Sequence, residues 1–169
     1  MAQLINRNGP LPDPWRAVST ATEAEALPDT ADALLPLAVW REDPRRWVAR
    51  AGRLGLLLEP TDDPKALAAT QDRLSLIAVR FPVFTDGRGY SIARLLRERQ
   101  GWQGELRAVG DILLDQLFFY ARCGFDSFAL RDDQEVALAP ALFAAFSVRY
   151  QAAADEPQPL FRRVARGAA

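Results

Sequence analysis

Between Arg80 and Asp111 the chain gathers five ionisable residues at what read as strand ends and loops: Arg80, Asp86, Arg88, Arg107 and Asp111. Forked guanidinium donors suit an oxyanion such as sulfite, sulfate, phosphate or a carboxylate. The loop Thr85-Asp86-Gly87-Arg88-Gly89-Tyr90 adds to this, because Gly87 and Gly89 would let backbone N–H groups turn toward an anion where the loop opens a helix. A second reading stays open, in which Arg80 or Arg107 pairs with Asp86 or Asp111 and only pins the loops. The acidic pairs Asp111/Asp115 and Asp132/Asp133 come without a third ligand at suggestive spacing and read as caps and solvated turns.

What is missing narrows the chemistry. The chain has no histidine, which removes the Ser-His-Asp triad, the Cys-His pair and His-ligated zinc or haem. Cys123 is the single cysteine, so no intramolecular disulfide, Cys-x-x-Cys pair or single-chain iron–sulfur cluster can form. Its place near a helix C-terminus predicts a buried, inert thiol. No resident metal, haem or cluster is therefore expected, while a non-covalent flavin, which needs no fixed motif, stays open. Lys65 is the only lysine among 21 basic residues. That bias points to GC-rich coding before it points to selection of arginine for anions.

At 169 residues and 49% hydrophobic, the chain can bury one core. A net charge of −1, spread along the sequence, leaves no basic footprint for nucleic acid or an anionic membrane, so neither partner is expected. No apolar run reaches the roughly 20 residues of a spanning helix, and the N-terminus lacks the pattern of a signal peptide. A cytoplasmic location follows as the expectation.

Strand-like and helix-like segments alternate. Residues 1–33, rich in proline, read as an irregular arm outside the repeats. Residues 34–153 read as one α/β domain and 154–169 as a flexible tail. Five strands are expected, at Leu35–Trp40, Leu54–Leu58, Leu74–Val79, Glu105–Val109 and Phe125–Leu130. Helices are expected from Asp43-Pro44 to about Ala51, from Asp63-Pro64 to about Gln71, and over Ser91–Arg99, Ile112–Arg122 and Glu135 to about Ala153. The two Asp-Pro starts lie 20 residues apart, as a repeated strand–helix unit would place them. Mainly parallel strands follow, in an open doubly wound sheet or a partial (β/α) barrel. The segment 112–121 is apolar around most of its circumference. It is either deeply buried or a homodimer interface through Leu113, Leu117, Phe118 and Tyr120.

These residues also carry a resemblance. Phe81-Pro82, Thr85-Asp86-Gly87-Arg88-Gly89, Gly104-Glu105-Leu106-Arg107, Gly110-Asp111, Asp115-Gln116 and Arg122-Cys123-Gly124-Phe125 together make residues 81–131 similar to the DUF934 family. The order of elements from Leu35 to Tyr150 agrees with it too. Members of that family look like companions of assimilatory sulfite or nitrite reductase. The resemblance thus implies an accessory protein that docks on a sirohaem-dependent reductase, with any oxidoreductase label coming from the pathway. The alternative, from residue chemistry, is a small-molecule enzyme or sensor that binds an oxyanion or a phosphorylated sulfur metabolite.

Overall fold

The computed structural model describes residues 3–163. Eight strands form one open sheet: β1 (Gln3–Asn6), β2 (Gly9–Pro10), β3 (Arg16–Ala17), β4 (Ala33–Pro36), β5 (Leu54–Leu58), β6 (Leu76–Phe81), β7 (Glu105–Gly110) and β8 (Ser127–Leu130). The spatial order is β2-β1-β8-β7-β6-β5-β4-β3. From β3 to β8 every neighbour is consecutive and parallel, while β1 runs antiparallel to β8 and β2. A sequential order means that the winding never reverses. Crossovers of one hand then put the helices on one face, and the sheet curls as a half-barrel instead of a doubly wound layer.

The two faces of the sheet bury different things. Ile77, Val79 and Phe81 of β6 enter the main core beneath the helices. The intervening Leu76 and Ala78 join Trp15, Leu34 and Leu57 in a small second core on the concave face. The helices are α1 (Ala21–Ala26), α2 (Leu37–Glu42), α3 (Pro44–Val48), α4 (Arg88–Arg94), α5 (Leu117–Arg122), α6 (Ala139–Phe143) and α7 (Leu160–Arg163). Both Asp-Pro starts work as read: Asp43 accepts the Arg46 N–H and Asp63 the Lys65 N–H. The second start opens only a 3₁₀ turn, Pro64–Leu67.

The N-terminal segment differs most from the sequence reading. Instead of an irregular arm, it supplies β1 and β2 at one edge of the sheet and β3 at the other. The chain between them crosses the concave face, where Trp15 is buried against Gly55 and Leu34. Prolines prevent long elements but allow short edge strands, so the segment closes both edges. Residues 1–2 and 164–169 lie outside the described residues. The described part of the expected tail is tied down: the Ala154 N–H bonds the Arg122 carbonyl, and the Asp155 carboxylate takes three arginines.

Two further expectations are corrected. The strand expected at Leu35–Trp40 is β4 followed by α2, since a short apolar run fits either period and Pro36 starts the helix. The long helix expected from Glu135 to Ala153 is a 3₁₀ turn and the five-residue α6, begun by Pro140. Beyond it Phe146, Val148 and Tyr150 stand exposed.

The position of Trp15 generates a prediction. Trp15→Ala should remove about 3–5 kcal/mol of stability by urea unfolding, because Trp15 is the largest side chain of the concave-face cluster and its loss leaves a cavity. A loss under about 1 kcal/mol would show that the strap is not integral to the fold.

Candidate functional site

The C-terminal ends of β6, β7 and β8 carry most of the residues singled out above. Gly110 ends β7 with φ +104°, and a Cβ there would lie 2.3 Å from the Phe81 carbonyl oxygen, so only glycine fits. The chain then turns so that the Asp111 N–H bonds that same carbonyl. One Asp111 oxygen accepts the Phe84 backbone N–H at 2.8 Å and the other accepts Arg131 at 2.9 Å. Arg131 also pairs with Asp133. Asp111 thereby fastens the loop after β6 to the end of β8. Asp86 grips Arg88, two residues on, through Nε at 3.0 Å and Nη2 at 2.7 Å. The adjacent guanidinium holds the Asp86 carboxyl below the usual carboxylate range, and Arg131 does the same for Asp111.

Arg80, at the end of β6, pairs instead with Glu59 at 2.9 Å. Asp86 and Arg88 thus contact each other, whereas Arg80 and Asp111 each have a separate partner.

Arg107 is not at this edge. It lies within β7 opposite Ala78, almost fully buried, and binds Asp13, Glu105 and Ser127. The expected strand Glu105–Val109 already put Arg107 mid-strand, and its alternation with Leu106 and Ala108 of the main core puts it on the opposite, concave face.

The glycines of the loop also have another purpose. Gly87 caps α4 with φ −78° and Gly89 has no left-handed backbone, so the loop does not use them to form an anion nest. A Cβ on Gly89 would lie 2.4 Å from the Phe81 ring, which makes close packing its requirement.

Of the four residues proposed for an interface, Leu117 and Tyr120 are fully buried in the core. Leu113 is half-buried, and Phe118 is partly covered by Phe146 and Arg149. A helix apolar all round is accounted for by burial on several sides, one of the two readings given above. The exposed apolar residue of α5 is Phe119, 54% exposed, which packs its ring at 4.8 Å from Tyr90. Val83 and Phe84 are 52% and 45% exposed in the loop after β6. The Gln116 amide donates to the Phe84 carbonyl, so that loop lies against the start of α5. Phe84 and Arg131 escaped the sequence reading, and Gln116 entered it only within the motif Asp115-Gln116. For Arg131 a signal existed, a basic residue directly after a strand and before Asp132-Asp133.

Behind this rim the Tyr120 hydroxyl donates to Gln116, and burial pushes both Tyr90 and Tyr120 away from ionisation. Cys123 is buried, and burial pushes its thiol up to about 11. Among the described residues, no three His, Cys, Asp or Glu side chains are grouped to hold a metal ion. No helix among them is long and apolar enough to cross a membrane.

The profile of a bacterial protein family of unknown function, DUF934, matches residues 55–161, more than half of the chain. The chain belongs to the DUF934 family. No curated protein matches it. The matched span takes in β5 through α6, including the Asp86–Arg88 loop and the Asp111–Arg131 fastening. Trp15 and Asp13 fall outside it.

Two outcomes are expected in this DUF934 protein. A group whose folded pKa is depressed stabilises the fold above its unfolded pKa and loses that contribution as pH falls through the folded value. The Phe84 amide resonance should therefore titrate with a midpoint below 3.8, and Arg131→Gln should move the midpoint up toward that value. Cys123 should resist a thiol reagent at pH 8 in the folded protein and react at once in denaturant. Rapid labelling of the native state would contradict its burial.

Proposed function

We propose that the protein is a non-catalytic accessory of assimilatory sulfite or nitrite reduction. In this reading it docks on a sirohaem-dependent reductase in the cytoplasm, through the C-terminal edge of its sheet. The observation that carries the docking is the rim of Val83, Phe84 and Phe119, exposed together beside ion pairs that neutralise one another. Apolar anchors bordered by satisfied polar groups are what a partner surface needs. The identity of the partner rests on the resemblance to DUF934 proteins. The accessory role is supported by the charged groups of this rim being bound to one another.

A second reading is favoured by one observation. Arg88 is 58% exposed despite its pairing, and it could exchange Asp86 for an incoming oxyanion. A rise in melting temperature on adding sulfite or phosphate to the isolated protein, lost in Arg88→Ala, would support that reading over docking.

The docking proposal is tested with purified sulfite reductase. Phe84→Asp with Phe119→Asp should weaken co-elution and raise Kd about tenfold or more, with the melting temperature unchanged. Deleting the gene should prevent growth on sulfite, with rescue by sulfide. Normal growth on sulfate with unchanged reductase activity, or reductase binding indifferent to both substitutions, would overturn it.

A further inference from the structure

At the opposite end of the sheet, beside the N-terminal ends of β7 and β8, lies a groove of about 890 Å³. A second hollow, around Arg50 and Arg73, measures about 220 Å³. The larger value falls within the range of metabolite pockets, roughly 300–1,000 Å³. Trp102, Phe125 and Ala121 form its buried base. The turn after β1, with Asn6, Arg7 and Asn8, faces the segment 152–157 across it.

The wall of the groove is specially built. After α4 the helix widens into a π turn, Leu95–Arg99, in which the Gln100 N–H bonds the Leu95 carbonyl five residues back. Such turns recur at functional sites because they re-aim side chains from a helix. Here the turn bears Arg97, which donates to the carbonyls of Gly124, Trp102 and Gly104 and pairs with Asp126. Arg97 thus holds the base and both flanking loops in place, and the groove is formed without a ligand.

Two other arginines remain available. Arg94 is 52% exposed and bound to Glu98, one turn along the same helix. Arg7 is 45% exposed and shares Asp155 with Arg122 and Arg149, whose side chains are 11% and 25% exposed. If Arg7 swings away, Asp155 keeps its two better-buried partners at 2.9 Å each. The groove lining sets Arg7, Arg94 and Arg97 against Glu98, Asp126 and Asp155, and the surplus positive charge comes from Arg122 and Arg149, which pair with Asp155 from outside the lining. The C-terminal poles of the helices that end here offset part of it, so the groove suits one or two negative charges and not a polyanion.

We infer that this groove is a binding site for a small organic anion, with a carboxylate or phosphate ester held by Arg7 and Arg94 and an apolar body resting against Trp102, Phe125 and the alanines beside them. It lies away from the docking rim and does not depend on the reductase.

The test is calorimetric titration of the full chain with phenyl phosphate, benzoate and inorganic phosphate. At least one of the two organic probes should bind, with inorganic phosphate about tenfold weaker or more. Arg7→Gln and Arg94→Gln should each weaken the organic probe about tenfold. Both variants should keep the wild-type NMR spectrum elsewhere, since Arg94 leaves only an exposed pair and Asp155, on losing Arg7, keeps Arg122 and Arg149. Arg88→Gln, at the other end of the sheet, should bind as the wild type does. No saturable heat up to about 10 mM of either organic probe, equal affinity for inorganic phosphate, unchanged binding in both groove variants, or loss through Arg88→Gln would each overturn the inference.

Discussion

A guanidinium buried on the concave face of an open sheet constrains the rest of this structure. Arg107 is only 3% exposed, and taking its charge from water costs on the order of several kcal/mol unless carboxylates and hydrogen bonds replace the lost hydration. Glu105 from the same strand and Ser127 from β8 supply part of that replacement, and the Ser127 hydroxyl donates in turn to Glu105. Asp13, 94 residues distant in sequence, supplies the rest at 2.9 Å. The strap must therefore lie across the concave face. Once it does, Trp15 two residues later fills the hollow beside Gly55 and Leu57, and β3 reaches the far edge of the sheet.

That arrangement determines where function can lie. A half-barrel offers its concave face as an obvious cavity, but here the strap and Trp15 occupy it. The proposed ligand and partner surfaces lie on the two rims instead, and the rims differ in chemistry. At the C-terminal rim each arginine is held by carboxylates, Arg131 by both Asp111 and Asp133, and apolar side chains stand exposed beside them. At the N-terminal rim, Arg97 holds the base of a groove while arginines gather in excess around Asp155. The first rim suits a protein surface and the second a small anion. Aromatic packing of Phe81 against Tyr90, Tyr120 and Phe125 gives the C-terminal rim a rigid support.

Much of the fold was legible because it rests on local patterns. Leu54–Leu58 is apolar without interruption and is a strand buried on both faces. Asp43 and Asp63 cap the segments they precede, and Gly124 takes φ +102° after α5. The cap at the start of α1, where Thr20 accepts the Glu23 N–H and Glu23 accepts the Ser19 N–H, was equally present in the sequence, though proline content drew the segment toward an irregular reading. The candidate site was less legible. Asp86 with Arg88 and Asp111 at the end of β7 were placed correctly, because strand ends follow from apolar runs. Arg107 was misplaced to the edge, Leu117 and Tyr120 follow the burial reading of their helix and not the interface one, and the long helix expected after Glu135 broke after Phe143.

Sequence alone determined the alternation of strands and helices, the caps that start them, the family, and the set of groups available for chemistry. Those properties depend on residues close in the chain, whose periodicity and turn preferences act before any long-range contact forms. Tertiary structure alone decided that Arg107 turns inward to meet Asp13, that Gly89 is small because the Phe81 ring lies against it, and that Arg7 and Arg122 from distant segments join Arg149 on Asp155. Each of these depends on which face of a strand meets which remote segment. That pairing is set by burial and charge compensation across the whole sheet, and no local spacing encodes it.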